Sequence, residues 1–147
     1  MTSSSTGWKP TRVAETFLDT NVLLYLLSSD GSRADIAEAA VAGGGHVSVQ
    51  VLNEFVSVAR RKAGLDWGEI DEVLGAVRRI CRVHPLTVET HDLARKLAER
   101  YTLHIYDASI IAAATLAGCD WLYTEDLHDG QRFDGGPKVR NPFRKAQ

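Results

Sequence analysis

Short apolar runs alternate with longer amphipathic segments along most of the chain. The four runs that are short and carry β-branched or aromatic residues are 15–19, 46–49, 121–124 and 138–141. Each run is typical of a strand. Between the runs apolar residues recur at helical spacing, as Val51, Phe55 and Val58 do. Because parallel strands need crossovers between them, the alternation predicts an α/β fold, a three-layer α/β/α domain with a central parallel sheet.

Capping residues and glycines define the expected helix ends. The spacing of Ser32 with Asp35, and of Asp66 with Glu69, is that of a capping box and predicts a helix start at each pair. Thr87 is the expected cap of another helix. Glycines at 43–45 and at 118 are expected to end two helices. The segment 20–27 is expected to be a helix or a continued apolar segment.

The composition is that of one ordinary soluble domain. The chain has 147 residues, 44% of them hydrophobic and 24% charged, which excludes a disordered acidic chain and a coiled-coil rod. Its apolar runs fall far short of the roughly 18 residues of a membrane span, and its polar start lacks the apolar core of a secretory signal. Cys81 and Cys119 form neither a disulfide framework nor a CxxC metal pair. We therefore expect a cytoplasmic protein without a membrane segment.

Charge is distributed unevenly along the chain. The formal net charge is −2, so any affinity for nucleic acid requires a local basic patch. Residues 131–147 have a net charge of +4, from Arg132, Lys138, Arg140, Arg144 and Lys145 against Asp134. Two further basic groups lie at 60–62 and 78–82. The alternative interpretation of each group is a solvated surface.

Four acidic residues stand at strand ends or near helix starts. They are Asp19, Glu54, Asp107 and Asp126. In parallel sheets ligands bind beyond the carboxyl ends of the strands, so acidic residues at those ends are candidates for a site. Their wide separation in sequence excludes a local calcium loop and requires the fold to bring them together.

Each acidic residue also has a structural explanation that involves no ligand. Asp19 could cap the helix that follows it, and Glu54 could pair at the rim with an arginine or another neighbour. Asp107 lies in the first turn of a helix, where the helix dipole favours a negative charge. Asp126 and Asp129 could be turn residues.

As a set, the carboxylates indicate a metal. Several carboxylates at one sheet edge would repel and raise one another's pKa unless a cation lay among them. Oxygen ligands without cysteine or clustered histidine select Mg²⁺ or Mn²⁺ over zinc. Such a cluster suits metal-assisted hydrolysis of phosphodiester bonds.

Three segments of the chain carry a family resemblance. They are FLDTNVLLYLL with Asp19, VSVQVLNEF with Glu54, and YDASIIAAATLAGCDWLYTEDLHDG with Asp107, Thr124 and Asp126. In this order they resemble the PIN-domain ribonucleases, and most closely the VapC-type toxins of type II toxin–antitoxin systems. The resemblance spans about 15–142 and makes 15–147 the expected PIN domain. Residues 1–14 depart from it as an N-terminal extension, for which we expect disorder.

The resemblance also implies roles for individual residues. The metal-binding acids correspond to Asp19, Glu54, Asp107 and Asp126, the site threonine to Thr124, a supporting amide to Asn21, and a further supporting acid to Asp129. Asp19, Asp107 and Asp126 would hold the metal. The glutamate would hold a second ion or orient water, and the threonine would support that water by hydrogen bonding.

The activity implied is that of a Mg²⁺-dependent endoribonuclease that leaves 5′-phosphate and 3′-hydroxyl ends. Implied partners are an RNA substrate, a cognate antitoxin and a second copy in a homodimer. The antitoxin tail would lie in the groove beside Glu54 and Asp107, where an arginine would pair with the carboxylates and apolar tail residues would pack on the helices bearing Val51, Phe55 and Val58. The alternative is a partner that blocks RNA access from a distance. One alternative is a haloacid-dehalogenase-like phosphohydrolase, which needs an acid where Asn21 stands. Another is a non-catalytic interaction module of the same fold.

Overall fold

A central parallel sheet organises the computed structural model, which describes residues 14–144. Its strands are β1 (Thr16–Leu18), β2 (His46–Ser48), β3 (Arg82–His84), β4 (Trp121–Tyr123) and β5 (Lys138–Arg140). They lie in the order β3-β2-β1-β4-β5, and all neighbouring strands are parallel. β1 is therefore central and β5 is an edge strand, as expected for the run at 138–141. Except for Ala14, the N-terminal extension lies outside the described residues.

Two helical segments or more connect each of the first three strands to the next strand in the chain. They are α1 (Thr20–Leu24), a 3₁₀ turn (Tyr25–Leu27) and α2 (Gly31–Ala42) after β1, α3 (Val49–Arg61) and α4 (Trp67–Ile80) after β2, and α5 (Val88–Tyr101) and α6 (Ile105–Leu116) after β3. β4 and β5 are joined by a loop. The helices flank the sheet, which confirms the predicted three-layer α/β/α architecture.

The apolar strand residues form the centre of the core. Phe17 and Leu18 of β1 are fully buried, as are Val47 of β2 and Leu122 of β4. In the register between β1 and β4, Phe17 lies opposite Leu122 and Leu18 lies opposite Tyr123. β1 lies between two strands at the centre of the sheet. The residue that follows it, Asp19, therefore lies at the carboxyl edge of the sheet and is buried.

Most predicted helix ends are confirmed, with one correction. Asp66 and Glu69 form the reciprocal capping box, and the Thr87 hydroxyl caps α5. Ser32 is not a cap: Asp30 accepts hydrogen bonds from the backbone N–H groups of Ser32 and Arg33, so α2 begins earlier. Aspartate is as good an N-cap as serine, and Asp30 stands two residues before Ser32.

Glycines end two helices as expected. Gly43 caps α2, and Gly44, at φ +74°, reverses the chain in a conformation that side chains disfavour. α6 ends at Leu116, shortly before Gly118. The segment 20–27 divides into α1 and a 3₁₀ turn, and β3 is a strand that the apolar pattern did not predict.

Within residues 14–144, no helix is long and apolar enough to cross a membrane. Cys81 and Cys119 are buried free thiols. The burial of Cys119 raises its thiol pKa to about 12, with Glu15 and Asp120 adding to that shift. These cysteines are core residues in the described structure.

Candidate functional site

The end of β1 delivers Asp19 to the carboxyl edge of the sheet. Its side chain is 6% exposed. One carboxylate oxygen, Oδ1, accepts a 2.6 Å hydrogen bond from the backbone N–H of Thr20 and so caps α1. The other, Oδ2, accepts a 2.8 Å bond from the Thr124 hydroxyl. The capping explanation therefore holds, and it leaves the second oxygen directed at other side chains.

The neighbouring strand β4 brings Thr124 to the same place. The backbone N–H of Asp19 donates to the carbonyl of Tyr123 at 3.0 Å, which fixes the following Thr124 beside Asp19. The Thr124 hydroxyl is fully buried, and it accepts from the Asp126 backbone N–H at 3.0 Å while donating to Asp19. Its single proton is thus used by Asp19. In the described structure the hydroxyl orients a carboxylate, and its expected role of supporting a water by hydrogen bonding stays a prediction.

Asn21 joins the two strand ends through its amide. Its Nδ2 lies 3.0 Å from Asp126 Oδ2, 3.1 Å from the Thr124 hydroxyl and 3.4 Å from Asp19 Oδ2. Its Oδ1 accepts from the backbone N–H of Glu125 at 3.4 Å. The amide therefore directs partial positive charge at two carboxylates.

Electrostatic coupling shows that three of the acids share one region. Burial raises the pKa of Asp19 to about 7, and the nearby charges of Asp126 and Asp107 raise it further against the opposing hydrogen bonds. The pKa of Asp107, in the first turn of α6, is also raised, by burial first and then by Asp126. His104 partly offsets the shift at Asp107. Two strand ends and one helix start thus bring like charges together around a buried carboxylate.

Glu54 approaches from α3. Its side chain is half-buried, and Oε2 accepts from Gln50 Nε2 at 2.8 Å. Oε1 lies 3.5 Å from the Thr20 hydroxyl, one residue from Asp19. The structural explanation for Glu54 was a pairing with Arg61 or another neighbour, and here the neighbour is Gln50, while Arg61 donates to Ser57.

Asp129 is placed differently from the other acids. Its carboxylate accepts from the backbone N–H of Asn141 at 2.8 Å and from Arg144 Nη1 at 3.0 Å. The Asn141 bond, and then Arg144, lower its pKa. No hydrogen bond among residues 14–144 joins it to Asp19. Asp129 therefore fastens the segment after β5 to the loop after β4, and its expected role as a supporting acid stays a prediction.

Sequence reasoning missed a polar cluster beside the site. Tyr25 donates its hydroxyl to Glu125 Oε1 at 2.5 Å, and Arg33 Nη1 lies 3.0 Å from that hydroxyl and 3.3 Å from Glu125 Oε2. The Tyr25 ring packs on Phe143 with centroids 4.4 Å apart. Both Tyr25 and Glu125 stand inside the motif segments, but only the fold pairs them across about a hundred positions of sequence.

The donor set fits a hard divalent cation in its chemistry. The candidate ligands are oxygen atoms, and the repulsion that raises the pKa of Asp19 is what a cation would relieve. As placed in residues 14–144, no three acidic, histidine or cysteine side chains stand close enough together to hold an ion. Asp126 is exposed and Asp107 is half-buried, and Asn21 donates to both Asp126 and Asp19.

Solved structures of known proteins share this fold. VapC20 of Mycobacterium tuberculosis, described as a Sarcin-Ricin loop cleaving toxin, is 21% identical with a TM-score of 0.63, covering 76% of this chain and 90% of that chain. A toxin–antitoxin complex from Klebsiella pneumoniae is 20% identical with a TM-score of 0.68, covering 89% and 100%. FitAcB of Neisseria gonorrhoeae is 20% identical with a TM-score of 0.61, covering 88% and 99%.

Sequence comparison gives the family directly. The curated proteins contain no match to the chain. The family model of the PIN domain matches residues 16–132, from the first residue of β1 into the loop before β5. The match includes every residue of the acidic site described above. The chain therefore belongs to the PIN domain family.

Proposed function

We propose that this protein is a divalent-metal-dependent endoribonuclease and the toxin of a type II toxin–antitoxin pair, acting in the cytoplasm. The observation that carries the proposal is the buried Asp19, whose carboxylate accepts from Thr124, while the Asn21 amide reaches both Asp19 and Asp126. Burial and, to a smaller extent, the charges of Asp126 and Asp107 raise the pKa of Asp19 to about 7. A buried carboxylate with like-charged neighbours is costly unless a cation balances it, and perturbed groups of this kind cluster at functional sites.

In the proposed site Asp19, Asp107 and Asp126 hold Mg²⁺, with Mn²⁺ as the alternative. Glu54 holds a second ion or orients the attacking water. When bound, a divalent cation supplies positive charge at the phosphate and lowers the pKa of water. Thr124 and Asn21 act on the carboxylates: the hydroxyl holds Asp19 at 2.8 Å and the amide holds Asp126 at 3.0 Å. Both would limit how far these ligands move when a cation is absent.

The RNA substrate and the toxin role are supported by the proteins that share the fold. VapC20 is described as cleaving the Sarcin-Ricin loop, and the structure from Klebsiella pneumoniae is described as a toxin–antitoxin complex. These descriptions belong to those proteins. For this chain they favour RNA over other phosphodiesters, and they favour regulation by an antitoxin over constitutive activity.

A cleavage assay with matched variants tests the proposal. The purified full chain and an end-labelled RNA should give Mg²⁺-dependent, EDTA-sensitive products with 5′-phosphate and 3′-hydroxyl ends. Asp19→Asn, Asp107→Asn and Asp126→Asn should each abolish cleavage, whereas Asp71→Asn, an exposed carboxylate on α4, should not. Retention of wild-type activity by two of the three site variants would make the metal assignment wrong.

A metal-binding measurement gives an independent readout. Mn²⁺ added to the folded protein should raise its melting temperature, because a ligand that binds only the folded state stabilises it. The increase should be absent in Asp19→Asn and present in Asp71→Asn. An equal increase in both variants would show that the cation binds elsewhere.

An antitoxin would bind beside the acidic site. The described surface next to Asn21 and Glu125 is a cavity of about 380 Å³ with apolar walls from Leu24, Leu27 and Val58. Of the three residues named for this helix, Val51 and Phe55 are fully buried in the core, and Val58 lines the cavity. An arginine of the tail would pair with the carboxylates, and replacing it with alanine should weaken both binding and inhibition.

A homodimer is also part of the proposal. Light scattering should give a mass near twice 16.1 kDa.

The alternative of a haloacid-dehalogenase-like phosphohydrolase is not supported. That reaction needs a second acid at the position of Asn21, whose amide instead donates hydrogen bonds to the acids around it. A non-catalytic PIN module would bind RNA without the chelator-sensitive cleavage described above.

A further inference from the structure

The outer face of β4 and β5 carries an aromatic ring among basic side chains. Along β5, Lys138 and Arg140 alternate with the buried Val139, so both project from the opposite face of the strand. Trp121 lies opposite Lys138 in the register, and Arg132 pairs with Lys138 from the other side in an antiparallel bridge. We call the surface of Trp121, Arg132, Lys138 and Arg140 the basic sheet face.

The side chains of this face are arranged around the indole. Lys138 Nζ lies 5.8 Å from the centroid of the Trp121 ring, and Arg140 Cζ lies 5.2 Å from it. Trp121, Arg132 and Lys138 also line a polar cavity of about 570 Å³. The basic sheet face is therefore a shaped recess with an aromatic wall and cationic rims.

The cations of the basic sheet face are available to a ligand. Among residues 14–144, no salt bridge within 4 Å involves Arg132, Lys138 or Arg140. One acid, Asp120, lines the same cavity, and its carboxylate accepts from the Glu15 backbone N–H at 2.8 Å. Arg140 also lies near a second acid, Asp129, whose pKa it helps to lower. Three cations against these two acids leave a local positive charge on a chain whose net charge is −2.

The basic sheet face is continuous with the acidic site. The backbone N–H of Thr124 donates to the carbonyl of Arg140 at 3.1 Å, so Arg140 stands at the same sheet edge as Asp19. Lys138 lies two strand residues further back, roughly 7 Å along β5. A strand of nucleic acid that leaves the acidic site over β5 meets Arg140 first and then the recess of Trp121 and Lys138.

We propose that the basic sheet face binds single-stranded RNA on one side of the cleaved bond, with Arg132, Lys138 and Arg140 on phosphates and Trp121 against a base. The inference rests on the proposed ribonuclease function and names where its substrate extends. Cations that follow the backbone and an aromatic side chain that stacks on a base are the two elements of sequence-tolerant binding to single strands. A duplex would present no unstacked base to the indole.

Binding in the absence of metal tests the basic sheet face apart from catalysis. Fluorescence anisotropy of a labelled oligouridylate of about 12 nucleotides is measured in EDTA at several salt concentrations. Lys138→Gln with Arg140→Gln should weaken binding about tenfold and reduce the slope of log K against log salt by about 1.4, or 0.7 for each lost phosphate contact. The control, Arg95→Gln with Lys96→Gln, removes two exposed cations of α5 and should leave affinity and slope unchanged.

Replacement of the indole should give a different signature. Trp121→Leu should weaken binding severalfold with no change of salt slope, because a stacked base releases no counterions. An unchanged melting temperature in each variant verifies folding, and if Trp121→Leu does not fold, the double cation variant still decides.

Two outcomes would overturn the proposal. One is equal affinity and salt slope in the Lys138/Arg140 variant and its control. The other is preferential binding of an oligoglutamate of equal charge, since that would identify a surface for an acidic protein segment. Cleavage of the same RNA by the wild type in Mg²⁺ is measured separately, so failure of the ribonuclease function and failure of the RNA surface are distinguishable.

Discussion

Two buried polar clusters in this sheet differ in how their charges are matched. At the carboxyl edge, Asp19 is surrounded by hydrogen-bond donors but also by the charges of Asp107 and Asp126. Beside β1, the buried His46 lies between Glu15 and His84, with its Nε2 2.6 Å from Glu15 Oε2 and its Nδ1 2.7 Å from His84 Nε2.

The histidine cluster satisfies itself. If His46 carries its proton on Nε2, it donates to Glu15, and its Nδ1 accepts from the Nε2–H of His84. Burial first, and then His46 and Arg82, lower the pKa of His84, which keeps that ring neutral. The acidic cluster cannot satisfy itself in this way, because carboxylates accept but do not donate. The histidine cluster therefore stabilises the folded protein by itself, whereas the acidic cluster requires a cation or a proton from outside.

The largest effect on folding should come from breaking the histidine cluster. His46→Ala removes a buried ring and leaves Glu15 and His84 without it, and we expect a loss of about 3–4 kcal/mol in the free energy of unfolding measured with urea. Cleavage per folded molecule should be unchanged, since the ring lies outside the acidic site. His91→Ala, an exposed control on α5, should change stability by less than about 0.5 kcal/mol. A loss as small as that in His46→Ala would contradict the structural role.

Removing the hydroxyl that connects the acidic cluster should affect activity more than folding. Thr124→Val deprives Asp19 of its side-chain hydroxyl donor and Asn21 of an acceptor, so we expect a loss of about 2 kcal/mol in stability and about 100-fold in cleavage rate. Thr124→Ser keeps the hydroxyl and should restore most of both. If serine rescues stability but not cleavage, the hydroxyl does not position Asp19 for the reaction.

The two clusters also mark how far sequence reasoning reaches. The acids could be singled out from the sequence because strand ends and helix starts are local features. The caps at Asp66 and Thr87 could be predicted for the same reason. The histidine cluster was missed because β3 has a single apolar residue, Val83, and becomes a strand only by pairing with β2. His46 and His84 meet through that pairing, and no local pattern announces it.

The geometry within the acidic site was equally beyond the sequence. Residue types predicted a cation site, but the register of β1 with β4 decides that Thr124 contacts Asp19. Asp129 stands three residues after Asp126 and carries the same charge, yet the loop directs it to Asn141 and Arg144. Motif spacing alone does not separate two carboxylates that a turn sends in opposite directions.

Neutralising Asp19 should stabilise the metal-free protein. The pKa of Asp19 is raised to about 7 in the folded state, so this group favours folding when protonated and opposes it when ionised. In EDTA, wild-type stability should therefore fall as the pH rises from about 4 to about 7 and be level above that range. Asp19→Asn should lack this decline and be more stable by about 1–2 kcal/mol at pH 8. A variant that follows the wild-type pH curve would show that Asp19 is not the titrating group.

The smallest effect should come from the polar cluster beside the site, which is matched like the histidine cluster but only half-buried. Tyr25→Phe keeps the ring contact with Phe143 and removes the hydroxyl between Glu125 and Arg33. Arg33 still reaches Glu125 Oε2 at 3.3 Å, so neither partner is left alone. We expect a loss of about 0.5–1 kcal/mol in urea unfolding.

The same substitution also asks whether this cluster supports the acidic one. Glu125 donates its backbone N–H to Asn21 and precedes Asp126, so a looser Glu125 should reduce cleavage by about threefold at most. Tyr106→Phe, which removes an exposed hydroxyl on α6, should leave urea stability unchanged. A loss of cleavage in Tyr25→Phe as large as that in Thr124→Val would make Tyr25 part of the acidic site, and the division between matched and unmatched clusters would not hold there.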